Sequence, residues 1–122
     1  MRLGAVALIV PDYDPAIAFF TAIGFTLTAD EDQGRKRWVT VAAGATRLVL
    51  ARADGAAQRA VIGQQFAGRV GLFLETGDFD GDAARIVAAG GRFEEVPRRE
   101  SYGRVAVWRD PWGNRWDLIQ PA

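Results

Sequence analysis

A motif that occurs twice at a fixed distance limits this chain more than any other feature. Asp12-Tyr13-Asp14 and Asp78-Phe79-Asp80 lie 66 residues apart. Each follows an apolar, β-prone run (residues 2–10 and 69–76) and leads into a segment with helical spacing. After each helix come a glycine and a phenylalanine, as Gly24-Phe25 and Gly91-Arg92-Phe93. The second copy is slightly longer there, so the offset drifts to about 68 by the last strands. Self-similarity at one spacing means a supersecondary unit used twice, with two small sheets that bury their apolar faces together.

Read in order, the first copy is β-α-β-β-β. It has a strand over residues 2–10 and a helix over 15–23, with Asp14 as N-cap, Pro15 at the first helical position and Gly24 as terminator. Strands over 25–29, 35–42 and 46–53 follow, with a polar turn at 30–34. A linker over 54–68 contains a short helical piece near 57–62. The second copy has a strand over 69–76, a helix near 81–89, a strand over 92–96 and a charged loop at 97–102. It closes with a hairpin whose turn is Asp110-Pro111-Trp112-Gly113-Asn114, where proline presets φ and Gly-Asn tolerates positive φ. The expected architecture is α+β with mixed sheets: one domain over 1–122, with module one at 1–53 and module two at 69–122.

The chemistry open to such a fold is narrowed by what is missing. Among 122 residues there is no Cys and no His. Thiolate nucleophiles, disulfides and imidazole bases or ligands are therefore excluded. Any metal must be held by oxygen, which favours magnesium, calcium or manganese, and any acid–base group must be Asp, Glu, Tyr or Lys36. Fifteen basic side chains cancel fifteen acidic ones. There is thus no basic field for nucleic acid and no polybasic segment for a membrane. No apolar run approaches the ~20 residues of a membrane span, and the N-terminal run passes straight into Pro11-Asp12. A soluble, cytoplasmic protein is expected.

Strand alternation separates two faces. Val6, Leu8, Val10, Leu48, Leu50, Leu72, Leu74, Trp116 and Leu118 fall on one, which the helices should cover. The other mixes Ala, Gly and Val with Phe73 and with three charged residues, Arg47, Glu75 and Asp117. Small residues leave room there, and a carboxylate between Trp116 and Leu118 is costly unless it is paired, hydrated or bound to something. A partly polar cavity is expected on this second face.

Two segments, VALIVPDYDPAIAFFTAIGF and DPWGNRWDLIQ, together with the repeat, give the chain a family resemblance along nearly all its length. It resembles the vicinal oxygen chelate superfamily, the glyoxalase I, bleomycin-resistance and extradiol-dioxygenase group. The resemblance implies paired βαβββ modules, each curling a sheet around a cavity, and frequent homodimers. Metal-dependent members carry His, Gln or Glu at four inward positions, which fall here at Ala5, Val49, Gly71 and Asp117. Three of these are not ligands and the fourth is shortened to Asp, so glyoxalase I and ring-cleaving activities are disfavoured.

Three functional classes follow. The first is a metal-free small-molecule or drug-sequestering protein whose lining draws on Trp38, Phe73, Trp108, Tyr102, Glu75 and Asp117. The second is a metal-independent isomerase- or lyase-type enzyme. In it Glu75 or Asp117 is the base, Tyr102 a proton donor, and Arg47, Arg37 or Arg98 the anchor for an anion. Magnesium or manganese held weakly by Glu75 and Asp117 is the metal-bearing variant of this class. The third is a non-catalytic interaction domain, expected if bulky side chains fill the cavity.

Overall fold

The computed structural model describes all residues, 1–122, and the chain forms two compact units, Met1–Ile62 and Gly63–Ala122. The boundary falls inside the segment read as a linker. The first unit contains β1 (Val6–Val10), α1 (Tyr13–Ala22), β2 (Thr26–Asp32), β3 (Arg37–Ala43), β4 (Thr46–Arg52) and α2 (Gly55–Ala60). The second contains β5 (Val70–Glu75), α3 (Phe79–Ala89), β6 (Arg92–Phe93), β7 (Arg98–Glu100), β8 (Gly103–Arg109) and β9 (Arg115–Pro121).

The repeat reappears as topology. The first sheet has the order β1-β4-β3-β2 and the second β5-β9-β8-β6, with β7 added on β8. In each, the first and last strands of the unit are the parallel pair, Ala7 beside Val49 and Phe73 beside Asp117. The helix stops also repeat: Gly24 and Gly90 both take φ +112°, which only glycine adopts cheaply. The glycine equivalent to Gly24 is therefore Gly90, and not Gly91 as the sequence comparison had it.

Three of the boundaries that differ from expectation have a local reason. Asp12, not Asp14, caps α1: it is extended (φ −156°, ψ 159°) and its carboxylate accepts from the Tyr13 N–H at 2.8 Å. Pro15 consequently sits inside the first turn, where its missing N–H leaves no gap. β2 runs on through Asp32, because its acidic end pairs with β3 down to Arg37. β6 is only two residues long: at Glu95 the side chain, not the backbone, takes the Val107 N–H, at 2.7 Å, so the ladder breaks off. The charged loop beyond it re-enters the sheet as β7.

The cores lie under the helices, as alternation required. In the first unit Leu8, Val10, Val39, Val41, Leu48 and Leu50 are buried with Ala16, Phe19 and Phe20 of α1. In the second, Trp108 stacks on Trp116 with ring centroids 4.9 Å apart, and Phe79, Ile86 and Leu118 are buried with them.

The turn between β8 and β9 is tied by a buried carboxylate. Asp110, 1% exposed, accepts from the Trp112 N–H (3.1 Å), the Asn114 N–H (3.0 Å), the Asn114 side-chain amide (2.9 Å) and the Trp116 indole N–H (3.0 Å). This fixes Trp116 toward the core. By the two-residue period of a strand, Asp117 must then face the other way.

Candidate functional site

Asp117 does face away from α3. Its cross-strand neighbours are Val107 on β8 and Phe73 on β5, and Phe73 is 62% exposed. The Asp117 Oδ1 atom is buried and has no hydrogen-bond partner. Burial pushes its carboxyl above the ordinary value, Arg98 pulls it back, and Glu95 raises it again. The group is thus a half-buried acid whose ionised form lacks full solvation.

Its charged neighbours come largely from the strand break. Glu95 is held in place by the Val107 N–H and by Arg98, whose Nε donates to it at 3.1 Å. Arg98 is kept firmly protonated by Tyr102, Glu100 and Glu95 and pairs with Glu100 at 2.9 Å. Arg115, which also draws the Asp117 carboxyl down, is paired with Glu94 at 2.9 Å. The helix-free face of the second unit therefore carries several carboxylates; of these Glu95 acts on Asp117, with Arg98 as the strongest counter-charge.

The other expected site residues divide. Glu75 shares Asp117's face and is exposed, but it sits one pair further along, beside Ile119. Tyr102 is 52% exposed and interacts with Arg98. In the first unit, Arg47 shares the helix-free face with Thr40 and Val49; its Nε donates to the Gly4 carbonyl at 3.2 Å. Trp38 is on the same face, 39% exposed.

Two assignments are corrected by the register. Trp108 lies opposite Trp116 on the core face and is fully buried, so it supports the sheet and lines no cavity. Arg37 alternates with Trp38 onto the helix side, where it stacks over the Tyr13 ring and pairs with Asp14 and Asp30 at 2.9 and 2.8 Å.

The four positions that hold metal in other members can be tested against their surroundings. Ala5, Val49 and Gly71 bring no donor atom. At Gly71 the space is taken: a Cβ there would lie 2.1 Å from the Phe66 ring. No group of three or more acidic side chains is gathered anywhere to hold a metal ion. The residues present do not fit the four-ligand centre.

Residues 2–118 match the Glyoxalase/Bleomycin resistance protein/Dioxygenase superfamily. The chain belongs to this superfamily. A protein of uncharacterised function from Shewanella frigidimarina (strain NCIMB 400) is 44% identical over 121 residues, 94% of this chain and 90% of that one. Among solved structures, UcmS2 superposes with a TM-score of 0.81 at 29% identity, covering 98% of this chain and 97% of its own. TnmS3, an antibiotic binding protein from Streptomyces sp. CB03234, superposes with a TM-score of 0.68 at 31% identity, covering 100% and 99%. The superfamily's paired-module α+β architecture is therefore the fold of this chain, and no helix is long and apolar enough to cross a membrane.

Glu95 is the site residue that the sequence reading passed over. Alternation does not find it: with Phe93 on the core side it sends Glu94, which pairs with Arg109 and Arg115, to the helix-free face, and Glu95 joins it only because the ladder breaks off.

Proposed function

We propose that this superfamily member binds a small organic molecule without a metal ion, on the helix-free face that carries Asp117. The observation that carries the reading is the buried, unpartnered Asp117 Oδ1 beside exposed Phe73. An acceptor in that state gains most from a ligand N–H, O–H or cationic group, because the ligand replaces a missing hydrogen bond and does not displace an existing one. The raised carboxyl also suits a general base for proton abstraction next to a carbonyl, the isomerase- or lyase-type option. Similarity to an antibiotic binding protein supports the binding part of the reading. A cytoplasmic homodimer is part of the same proposal.

The variant with magnesium or manganese between Glu75 and Asp117 has weaker support, since Phe73 and not Glu75 is Asp117's neighbour. The test uses protein purified without a histidine tag. Bound metal is measured by elemental mass spectrometry, and calorimetry then scans antibiotics and small organic amines and acids. The expected result is metal-free protein with a ligand whose affinity drops in Asp117→Asn at unchanged fold. A stoichiometric metal, or ligand affinity indifferent to Asp117→Asn, overturns the proposal.

A further inference from the structure

A second cleft lies wholly within the first unit. The β3–β4 ladder runs only from Ala43↔Thr46 to Thr40↔Val49, yet β3 begins at Arg37 and β4 continues to Arg52. Beyond Thr40 and Val49 the strands part company: β3 stays on β2, and β4 stays on β1 as far as Val10↔Arg52. At this divergence is an open cleft of about 730 Å³, within the size range of small-molecule sites.

Its chemistry is one-sided. The lining carries Arg35, Lys36, Arg37 and Arg52 against a single carboxylate, Asp54. The whole chain is neutral, so this surplus is local. Arg37 is neutralised by Asp14 and Asp30; no carboxylate stands within ion-pair distance of Arg35, Lys36 or Arg52. Arg37 and Arg52 also both lie 5.1 Å from the centroid of the buried Tyr13 ring, so two like charges share one aromatic ring. The Tyr13 hydroxyl accepts from the Arg37 N–H at 3.2 Å. The Gln58 side-chain oxygen Oε1 accepts from the Asp54 N–H at 2.8 Å, which leaves the side-chain NH₂ to donate. Trp38 borders the cleft and is half-exposed, its side chain starting on the face opposite Arg37.

We propose that this cleft binds a planar organic anion, a carboxylate or a phosphate ester carried on a ring. Positive charge at Arg35, Lys36 and Arg52 without counter-ions attracts an anion, guanidinium groups bind either oxyanion in a two-point fork, and the exposed part of Trp38 offers the ring an apolar surface where the strands have parted. The site is independent of Asp117, which lies in the other unit and would repel the same ligand.

The test titrates full-length protein with benzoate and with phenyl phosphate, using benzylamine as the charge-reversed control and inorganic phosphate as the ringless one. Calorimetry gives affinity, and amide chemical shifts locate the site. The expected result is that at least one ring-bearing anion binds, moving amides of residues 35–38 and 51–54, and that added salt weakens it. Arg52→Gln should cost about tenfold in affinity. Because that change also unstacks Tyr13, the double variant Arg35→Gln/Lys36→Gln, at two exposed positions, should show a similar loss with the melting temperature preserved. Asp117→Asn should leave anion binding unchanged, which separates this inference from the proposed function. Equal binding of benzylamine, no binding of either ring anion, shifts confined to other residues, or full affinity in the double variant would overturn it. Inorganic phosphate binding as tightly as phenyl phosphate would overturn the ring-binding part.

Discussion

Asp110 and Asp117 are seven residues apart on one hairpin, and exchanging each for a neutral side chain should have opposite consequences. Asp110→Ala strips the acceptor from four donors, three of which are in buried bonds: the Asn114 N–H, the Asn114 amide and the Trp116 indole. A buried donor left without a partner costs about 1–3 kcal/mol. The fourth donor, the Trp112 N–H, is only part-buried and can turn to water. Partial relaxation of the turn brings the total to about 4 kcal/mol, at the upper end of what single substitutions do. For a chain of this size that is a fall of roughly 10–20 °C in melting temperature. Asp110→Asn retains one acceptor oxygen but turns an NH₂ toward the same donors, so it should lose about half as much. Three of the four tryptophans, Trp108, Trp112 and Trp116, lie in this unit, so urea unfolding followed by their fluorescence reads its stability. Ligand affinity of the folded fraction should be preserved. A loss below about 1 kcal/mol in Asp110→Ala would refute the reasoning, because the carboxylate would then not be what ties the turn.

Asp117→Asn should do the reverse, weakening ligand binding while stability at neutral pH is kept or raised. The sign follows from the raised carboxyl: the folded state holds that proton to higher pH than the unfolded chain does. Stability therefore falls as pH rises through the window above the ordinary carboxylate value and stays lower beyond it. Melts of the two proteins from about pH 3 to neutrality should converge at the acid end and separate above it; a gap of opposite sign would show that ionised Asp117 is stabilising. Glu95→Gln keeps an oxygen for the Val107 N–H but removes a negative charge near Asp117, so the Asp117 titration midpoint, read by carbon NMR of its carboxyl, should move down. An unmoved midpoint would remove Glu95 from the site. Gly71→Ala should cost about 1–3 kcal/mol through collision with Phe66, and Phe66→Ala in the same chain should recover part of it. Free tolerance of Gly71→Ala would mean that the Phe66 ring does not fill that position.

Much of this protein was legible from residue order, because the relevant physics is local. The two βαβββ units follow from a repeat in which each helix has an aspartate to open it and a glycine to end it, and those preferences belong to the backbone near each residue. Alternation likewise separated Leu8, Leu48, Trp116 and Leu118 from Arg47, Glu75 and Asp117, since the strand period leaves no freedom once the register is set. The absence of His and Cys limits the chemistry through composition alone. Other features depended on which strands meet and where they separate. Trp108 looked like a cavity aromatic until pairing with Trp116 turned it into the core. Glu95 gained its place beside Asp117 because its side chain ended a ladder, a contact between residues 12 apart that periodicity does not encode. Phe66 filled the space over Gly71. The cationic cleft exists because β3 and β4 diverge around Tyr13, gathering charges from both strands that read in the sequence as scattered surface residues. Backbone preferences act over a few residues and can be read one stretch at a time. A charge's neighbours are set by long-range packing and appear only when the chain has closed on itself.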